Sequence, residues 1–237
     1  MNVNPDTTII VPCWNEEAAL KPLLERLDRL VGARRNWEVL FVNDGSTDQT
    51  GQVLNDAAKR FVWARVVHHD GNKGLGAALR TGFQNCKSEV VCTIDSDGTY
   101  PPERLPEFVN LIVGGADVVT ASPWHPDNRQ ADGGLHRIFL SRSVSLCYRV
   151  LTGTKLYTYT ALFRAYRRDA IQDLEIDSNG FSAVTEILIK LLGKKCSVAE
   201  VAMPLKPREL GVSKMSTVKA IRGHLRLLSL SAHWARR

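Results

Sequence analysis

Two aspartates, Asp95 and Asp97, stand two positions apart directly after an apolar run that ends at Ile94. In an extended chain, side chains two apart point the same way, so both carboxylates can share one hard cation through oxygen ligands. Mg²⁺ or Mn²⁺ is the expected ion, and it would neutralise a diphosphate held at the same place. The alternative is a capped turn before Pro101, but two close carboxylates without a counter-charge disfavour each other's ionisation.

Polar residues also follow two earlier apolar runs, at residues 12–17 and 43–48. Asn43, Asp44 and Ser46 suit a turn followed by a helix cap. At a strand end, Asp44 could also accept hydrogen bonds from the base or ribose of a nucleotide, and both interpretations can hold together. The Gly74-Leu75-Gly76 pattern is predicted to be a tight turn, with Lys73 as a possible phosphate contact, because an isolated G-x-G is a weak signal.

The elements that must position these residues alternate along the first half of the chain. Continuous apolar runs predict strands, and the segments between them have helical spacing. Strands of this kind suit a mostly parallel sheet with helices on both faces, in which ligands bind beyond the carboxyl ends of the strands. The predicted strands are 8–11, 38–42, 65–67 and 90–94, and the predicted helices are 17–30, 49–60 and 73–85.

The second half is less regular. A strand at 117–121 leads into a polar, proline-containing loop at 122–129. Further predicted elements are a helix at 135–151, a strand at 157–166, a helix at 182–192 and a strand at 197–203.

Composition narrows the class of protein. With 237 residues, 44% of them apolar and 24% charged, the chain is typical of a folded α/β protein. A net charge of +6 favours an anionic partner. Nucleic acid is not expected, because no basic stripe is interleaved with aromatic residues. No secretory signal or membrane-spanning run is evident, so the expected location is the cytoplasm. The five cysteines show no zinc-type spacing and are expected to be reduced.

Four motifs together carry a family resemblance. They are Val11-Pro12-Cys13-Trp14-Asn15-Glu16, Val42-Asn43-Asp44-Gly45-Ser46-Thr47-Asp48, Asn72-Lys73-Gly74 and Asp95-Ser96-Asp97. In order and spacing they resemble the family-two glycosyltransferases with the GT-A fold. Residues 179–183 with Glu186, and then residues 208–215, resemble the dolichol-phosphate mannose synthase and polyprenyl-phosphate glycosyltransferase branch. The resemblance covers nearly the whole chain.

The resemblance implies roles for individual residues. Pro12, Trp14, Glu16, Val42 and Asp44 are expected at the nucleoside, and Asp95, Ser96 and Asp97 at the sugar diphosphate and its metal. Arg137, Ser141, Arg208 and Lys214 are expected near the phosphates of the donor or of a lipid acceptor. Arg137 and Ser141 are four apart on a predicted helix and so share a face, although ordinary solvated positions would look the same.

The chain departs from the branch pattern at two places. Gly98 and Thr99 follow Asp97 where the branch has an apolar residue and glutamine, so Thr99 or water is expected to replace that metal contact. Pro123 and Trp124 stand where the branch often has an arginine, and Arg129 is the nearest basic residue.

The reaction implied is an inverting transfer of a hexose from a GDP-mannose-type or UDP-glucose-type donor to a polyprenyl or dolichyl phosphate. Many relatives have an aspartate directly after a glutamate to act as the base, whereas here Ile187 follows Glu186. A phosphate acceptor is already ionised and needs no base, although Glu186 could still serve. The alternatives are a saccharide or other non-lipid acceptor, and an inactive nucleotide-sugar-binding protein, which the presence of Asp95 and Asp97 disfavours.

The carboxyl-terminal segment carries apolar residues at helical spacing together with basic residues. Such a helix could lie on an anionic membrane surface, making the protein peripheral on the cytoplasmic face, or could simply pack on its own domain. A membrane-anchored partner is a further possibility. We expect one GT-A catalytic domain, 1–237, made of a nucleotide-sugar half (1–121), an acceptor half (122–212) and this helix (213–237). The apolar residues of this helix are Met215, Val218, Ile221, Leu225 and Leu228, and its basic residues are Lys219, Arg222, Arg226, Arg236 and Arg237.

Overall fold

A seven-stranded sheet organises the protein, for which a computed structural model describes residues 5–128, 135–204 and 217–234. The strands within these ranges are β1 (Thr7–Cys13), β2 (Trp37–Asn43), β3 (Ala64–His68), β4 (Val90–Thr93), β5 (Val118–Ser122), β6 (Arg164–Arg167) and β7 (Val198–Ala202). Their order across the sheet is β3-β2-β1-β4-β6-β5-β7.

Helices connect these strands. They are α1 (Glu17–Val31), α2 (Thr50–Arg60), α3 (Leu75–Gln84), α4 (Leu105–Val113), α5 (Leu135–Thr152), the short α6 (Arg168–Ile171), α7 (Ser182–Gly193) and α8 (Thr217–Trp234). None of the helices in the described ranges is both long and apolar enough to cross a bilayer.

The sheet is parallel except at one strand. β3, β2, β1 and β4 run parallel, β6 runs antiparallel between β4 and β5, and β7 is parallel to β5. The carboxyl ends of β1, β2, β4 and β5 therefore share one edge of the sheet. The mostly parallel, helix-flanked sheet predicted from the sequence is confirmed, and the reversed strand β6 is an addition to it.

The apolar strands are buried on both faces. Alternate residues of a strand point to opposite faces, and in β1 Ile9 packs in one core cluster while Ile10 packs in the other. Leu20, Leu54 and Phe108 bring α1, α2 and α4 to the first cluster. The second cluster receives residues of α3, α5, α7 and α8. This two-sided burial explains why the strands read as continuous apolar runs.

Besides the short helix α6, which was not predicted, a helix and a strand differ from the sequence-based expectation. Helix α4 was not predicted, because Pro102 and Pro106 suggest a turn, yet proline is well tolerated in the first turn of a helix. The predicted strand 157–166 is wrong over most of its length, since regular strand begins only at Arg164. The backbone N–H groups of Tyr157 and Thr158 donate instead to the Glu200 carboxylate, so they need no neighbouring strand.

Candidate active site

Asp95 and Asp97 lie just beyond β4, at the edge where several strands end. Ile94 donates its backbone N–H to Ile10 O (3.1 Å), which ties the start of this segment to β1. Gly98 has a positive φ of 72°, so the chain turns sharply after Asp97. The backbone N–H of Thr99 donates to Asp97 Oδ1 (3.0 Å), and the Thr99 hydroxyl donates to the same oxygen. The turn therefore fixes the Asp97 carboxylate from one side.

The chemistry of this pair fits a hard divalent cation. Among the described residues, no three His, Cys, Asp or Glu side chains form a group that could hold a metal by themselves. Mg²⁺, however, commonly takes only one or two carboxylates and completes its shell with water and substrate phosphate oxygens. Asp95 and Asp97 match that pattern. Thr99 is engaged with Asp97, and its predicted metal contact stays a prediction.

The phenol of Tyr100 lies buried beside this pair. Burial raises the pKa of the Tyr100 hydroxyl well above its ordinary value, and the negative charges of Asp95 and Asp97 raise it further. Tyr100 is therefore a neutral hydroxyl at this edge and does not compete with the two carboxylates for a cation.

The residues that follow β1 lie at the same edge of the sheet. Asn15 has a positive φ of 54°, and its Oδ1 accepts the backbone N–H of Thr47 (2.8 Å). The backbone N–H of Glu16 donates to Thr50 Oγ1 (2.8 Å). These bonds join the end of β1 to the start of α2. Trp14 stands next to them with its indole exposed, and a flat aromatic face of this kind can stack on a nucleoside base.

Asp44 lies beyond β2 and is held by several hydrogen bonds. Its Oδ1 lies 2.7 Å from His69 Nδ1 and accepts the backbone N–H of Lys73 (2.9 Å), while Oδ2 accepts the N–H of Gly74 (2.8 Å). The carboxylate thus organises the loop at residues 69–74. The next residue, Gly45, has a φ of 64°, and the turn predicted for this motif is present. Contact between Asp44 and a nucleoside stays a prediction.

Two further residues assigned to the nucleoside differ in their exposure. Pro12 is half-buried at the end of β1. The Val42 side chain is fully buried in the second core cluster, so a contact from Val42 would have to come from its backbone. Ser96, between the two aspartates, is buried.

The two glycines of the G-x-G pattern pack against another segment of the chain. A Cβ on Gly74 would lie 2.3 Å from Asn179 O, and one on Gly76 would lie 1.9 Å from Ser178 O. The Gly76 N–H also donates to Asn179 O (2.7 Å). These glycines allow α3 to approach the segment 176–180 closely. Lys73 is exposed, and its phosphate contact stays a prediction.

Glu186 of α7 is fully buried and heavily bonded. Its Oε1 accepts the backbone N–H of Asp177 (2.7 Å) and lies 2.9 Å from Lys190 Nζ, and its Oε2 accepts the N–H of Ser178 (2.8 Å). Burial acts to lower the pKa of Lys190, but the bonds to Asp177 and Glu186 outweigh it and raise that pKa above its ordinary value. These contacts indicate a structural role for Glu186, which removes the geometric support for its use as a general base.

Ser141 of α5 joins the loop after β5. Trp124 Nε1–H donates to Ser141 Oγ (3.1 Å), which lies 2.8 Å from Thr160 Oγ1. The Arg142 guanidinium stacks over the Trp124 ring at 5.2 Å. Arg137 lies on the same helix, one turn before Ser141. Arg208 and Lys214, which the resemblance places near phosphate, lie outside the described residues, as does Arg129.

Two site residues were not anticipated from the sequence. His69 bonds to Asp44, and Arg142 covers Trp124. A signal for His69 exists in retrospect, because it directly follows β3 and so belongs to the same edge as Asp44. No sequence signal separates Arg142 from the other arginines of α5.

Solved structures contain the same mostly parallel, helix-flanked sheet. Glucosyl-3-phosphoglycerate synthase from Mycobacterium tuberculosis, solved with Mn²⁺, UDP-glucose and phosphoglyceric acid, superposes with a TM-score of 0.75 at 18% identity, over 98% of this chain and 80% of that one. The same enzyme has been solved with Mg²⁺ and UDP. This chain therefore has the GT-A fold.

The sequence assigns the family. The Glycosyl transferase family 2 profile matches residues 8–175, and this chain belongs to that family. Polyprenol monophosphomannose synthase of Mycolicibacterium smegmatis is 32% identical over 217 residues, which are 89% of this chain and 81% of that protein. An undecaprenyl-phosphate 4-deoxy-4-formamido-L-arabinose transferase of Pectobacterium carotovorum is 31% identical over 91% of this chain. Dolichol-phosphate mannosyltransferase of Pyrococcus furiosus is 27% identical over 96% of this chain. This chain spans 64% of the length of each of these last two proteins.

Proposed function

We propose that this protein transfers a hexose, with inversion, from a nucleotide-sugar of the GDP-mannose or UDP-glucose type to a polyprenyl or dolichyl phosphate. The observation that carries the proposal is the similarity to polyprenyl-phosphate sugar transferases over 89–96% of the chain. The position of Asp95 and Asp97 at the ligand edge supports it.

Asp95 and Asp97 are the residues that would hold Mg²⁺ or Mn²⁺ with the donor diphosphate. The cation, when bound, neutralises charge on the departing nucleoside diphosphate. Thr99 holds the Asp97 carboxylate in place through two hydrogen bonds. Trp14, Pro12 and Asp44, which lie at the ends of β1 and β2 on the same edge, would contact the nucleoside.

The state of Glu186 supports a phosphate acceptor. A sugar hydroxyl has to lose a proton as it attacks, and a carboxylate usually takes it. Glu186 is the only carboxylate of α7, it has no exposed surface, and two backbone amides and Lys190 already bond to it. An ionised phosphate needs only cationic groups that position it. We assign that role to Arg137, Arg208 and Lys214, and a supporting hydrogen bond to Ser141.

Helices α5 and α8 support a peripheral contact with an anionic membrane at the cytoplasmic face. Tyr148 of α5 donates its hydroxyl to His224 O of α8 (3.2 Å), so the two helices lie side by side. Neither helix contains an acidic residue. Helix α8 buries Ala220 and Leu227 against its own domain and leaves other apolar residues outside. The exposed large apolar residues described on the two helices are Leu146, Val150, Ile221, Leu225 and Leu230, and the exposed basic residues include Arg142, Arg222 and Arg226.

Such a face would bind acidic vesicles through apolar burial and charge together. Sedimentation with phosphatidylglycerol vesicles, compared with phosphatidylcholine vesicles, tests this contact. A Leu225→Asp variant should reduce binding to the acidic vesicles. If the protein binds neither type of vesicle, a direct contact with the membrane is contradicted and a membrane-anchored partner is favoured.

A transfer assay tests the function. Purified protein with Mn²⁺ or Mg²⁺ is given GDP-mannose or UDP-glucose, with and without a polyprenyl phosphate. Sugar should appear on the lipid with one donor and disappear when a chelator is added. A donor that binds without any lipid product would favour a saccharide or other non-lipid acceptor. Arg208→Ala should raise the KM for the lipid phosphate.

A further inference from the structure

His69 is a buried histidine whose two ring nitrogens both have partners. Nδ1 lies 2.7 Å from Asp44 Oδ1, and Nε2 lies 2.9 Å from Thr81 Oγ1 of α3. The side chain is only 8% exposed. An ionised carboxylate can only accept hydrogen bonds, so Nδ1 carries the proton of this pair. In the neutral ring, Nε2 then accepts the Thr81 hydroxyl.

Asp44 is held in one orientation by its three neighbours. Two are the backbone amides of Lys73 and Gly74, which are fixed by the loop, and the third is the His69 side chain. A carboxylate offers about four acceptor positions, so these bonds leave capacity for one more donor. Asp44 also directly follows β2, at the edge where a nucleoside is expected.

We propose that His69 is a positioning residue for the sugar donor: its Nδ1–H holds the Asp44 carboxylate so that the remaining acceptor position meets an N–H or O–H of the nucleoside. The inference rests on the proposed function, since it requires a nucleoside at this edge. His69 acts through Asp44, because both its nitrogens are already engaged and its ring is buried. Without the Nδ1–H, the carboxylate would keep only its backbone donors and could rotate.

Two substitutions of His69 distinguish the role of its Nδ1 from that of its Nε2. His69→Asn places an amide N–H near the position of Nδ1 and keeps the bond to Asp44. His69→Gln places its amide near Nε2 and loses that bond. We expect His69→Gln to raise the Kd for UDP or GDP, whichever the wild type binds, and the donor KM by about tenfold, the effect of losing one bond to a charged group. The acceptor KM and kcat should change little, and His69→Asn should stay close to the wild type.

His68→Gln is the matched control. His68 bonds to Asn43 and Asn55, not to Asp44, so its substitution should leave nucleotide affinity unchanged. Thermal unfolding of each variant separates lost affinity from lost stability. Asp44→Asn by itself should lower the affinity for the nucleotide. When His69→Gln is added to Asp44→Asn, the Kd for the nucleotide should not change further.

Three results would overturn the inference. They are an unchanged Kd in His69→Gln, equal losses in the asparagine and glutamine variants, and full additivity with Asp44→Asn. A wild-type protein that binds neither UDP nor GDP would overturn the proposed function itself, and this inference with it. A wild-type protein that binds one of them while His69→Gln binds it equally well would leave the proposed function standing and remove only the role of His69.

Discussion

Replacing Glu186 by glutamine separates a structural role from a catalytic one. The carboxylate accepts the backbone N–H groups of Asp177 and Ser178 at 2.7 and 2.8 Å, and it is fully buried. Glutamine has nearly the same shape but only one acceptor oxygen, so its NH₂ group must face one of these N–H groups. The buried N–H of Asp177 or of Ser178 is then left without an acceptor, and its hydrogen bond to the charged carboxylate is lost.

The magnitude follows from these contacts. An unsatisfied buried donor costs about 1–3 kcal/mol, and a hydrogen bond to a charged group contributes about 1.5–3 kcal/mol. Lys190 keeps Asp177 Oδ2 at 2.7 Å and Glu175 O at 2.9 Å, so it is not stranded. We therefore expect a loss of about 3 kcal/mol in the free energy of unfolding, which for a chain of this size lowers Tm by about 6–12 °C.

Urea or thermal unfolding gives the stability, and sugar transfer well below Tm gives kcat. We expect kcat within about twofold of the wild type, because a general base would instead contribute about 10²–10⁴-fold. Glu175→Gln, an exposed change on the same segment, should shift stability by less than about 0.5 kcal/mol. An unchanged Tm together with a hundredfold lower kcat would refute the reasoning and restore Glu186 as a base.

Three further predictions concern other parts of the molecule. Asp97→Ala should abolish transfer and the Mn²⁺-dependent part of donor binding, and transfer at the wild-type rate would show the proposed metal site to be wrong. Gly76→Ala should destabilise by about 1–3 kcal/mol in urea unfolding, because its Cβ would meet Ser178 O at 1.9 Å. Gly71→Ala, where nothing lies within 4 Å, is the control. Bonds from Ser197 hold the pKa of Asp117 below its ordinary value, and the nearby Arg167 adds to this. The ionised Asp117 therefore adds to the free energy of unfolding above its ordinary pKa of about 4, and this contribution is lost as pH falls through the lowered folded-state pKa. Asp117→Asn should make the free energy of unfolding less dependent on pH in this range. The effect should be under about 1 kcal/mol, because the site is partly exposed.

The sequence predicts the first four strands well because each is a short continuous apolar run. β1, β2, β3 and β4 all lie where such runs were found. The chain after β5 is harder to predict, because side chains satisfy some of its backbone groups. The segment before β6 looks like a strand in composition, but Glu200 takes the N–H groups of Tyr157 and Thr158 that a strand would use. The local pattern of residue types around 157–158 does not reveal that Glu200, 42 or 43 positions away, is the partner.

The position of the candidate site follows partly from topology. Asp95, Asp97 and Asp44 follow strands that end at one edge, so topology alone places them together. The surroundings of Glu186 could not be predicted, because a buried carboxylate on an apolar helix looks the same in sequence whether it serves as a base or accepts backbone N–H groups. Its partners lie in a segment without regular structure, where periodicity gives no information.

The reversed strand β6 also governs the order in which the protein can assemble during synthesis. The first four strands pair among themselves, but β4 next needs β6, with Val90 opposite Arg167, and β5 needs β7, with Val118 opposite Val198. Pairings between residues so far apart in the chain form slowly. Until β6 has left the ribosome, the outer edge of β4 presents unpaired N–H and C=O groups, which can recruit a strand from another molecule. The nascent chain is thus prone to aggregation after β4 has been made and before β6 has.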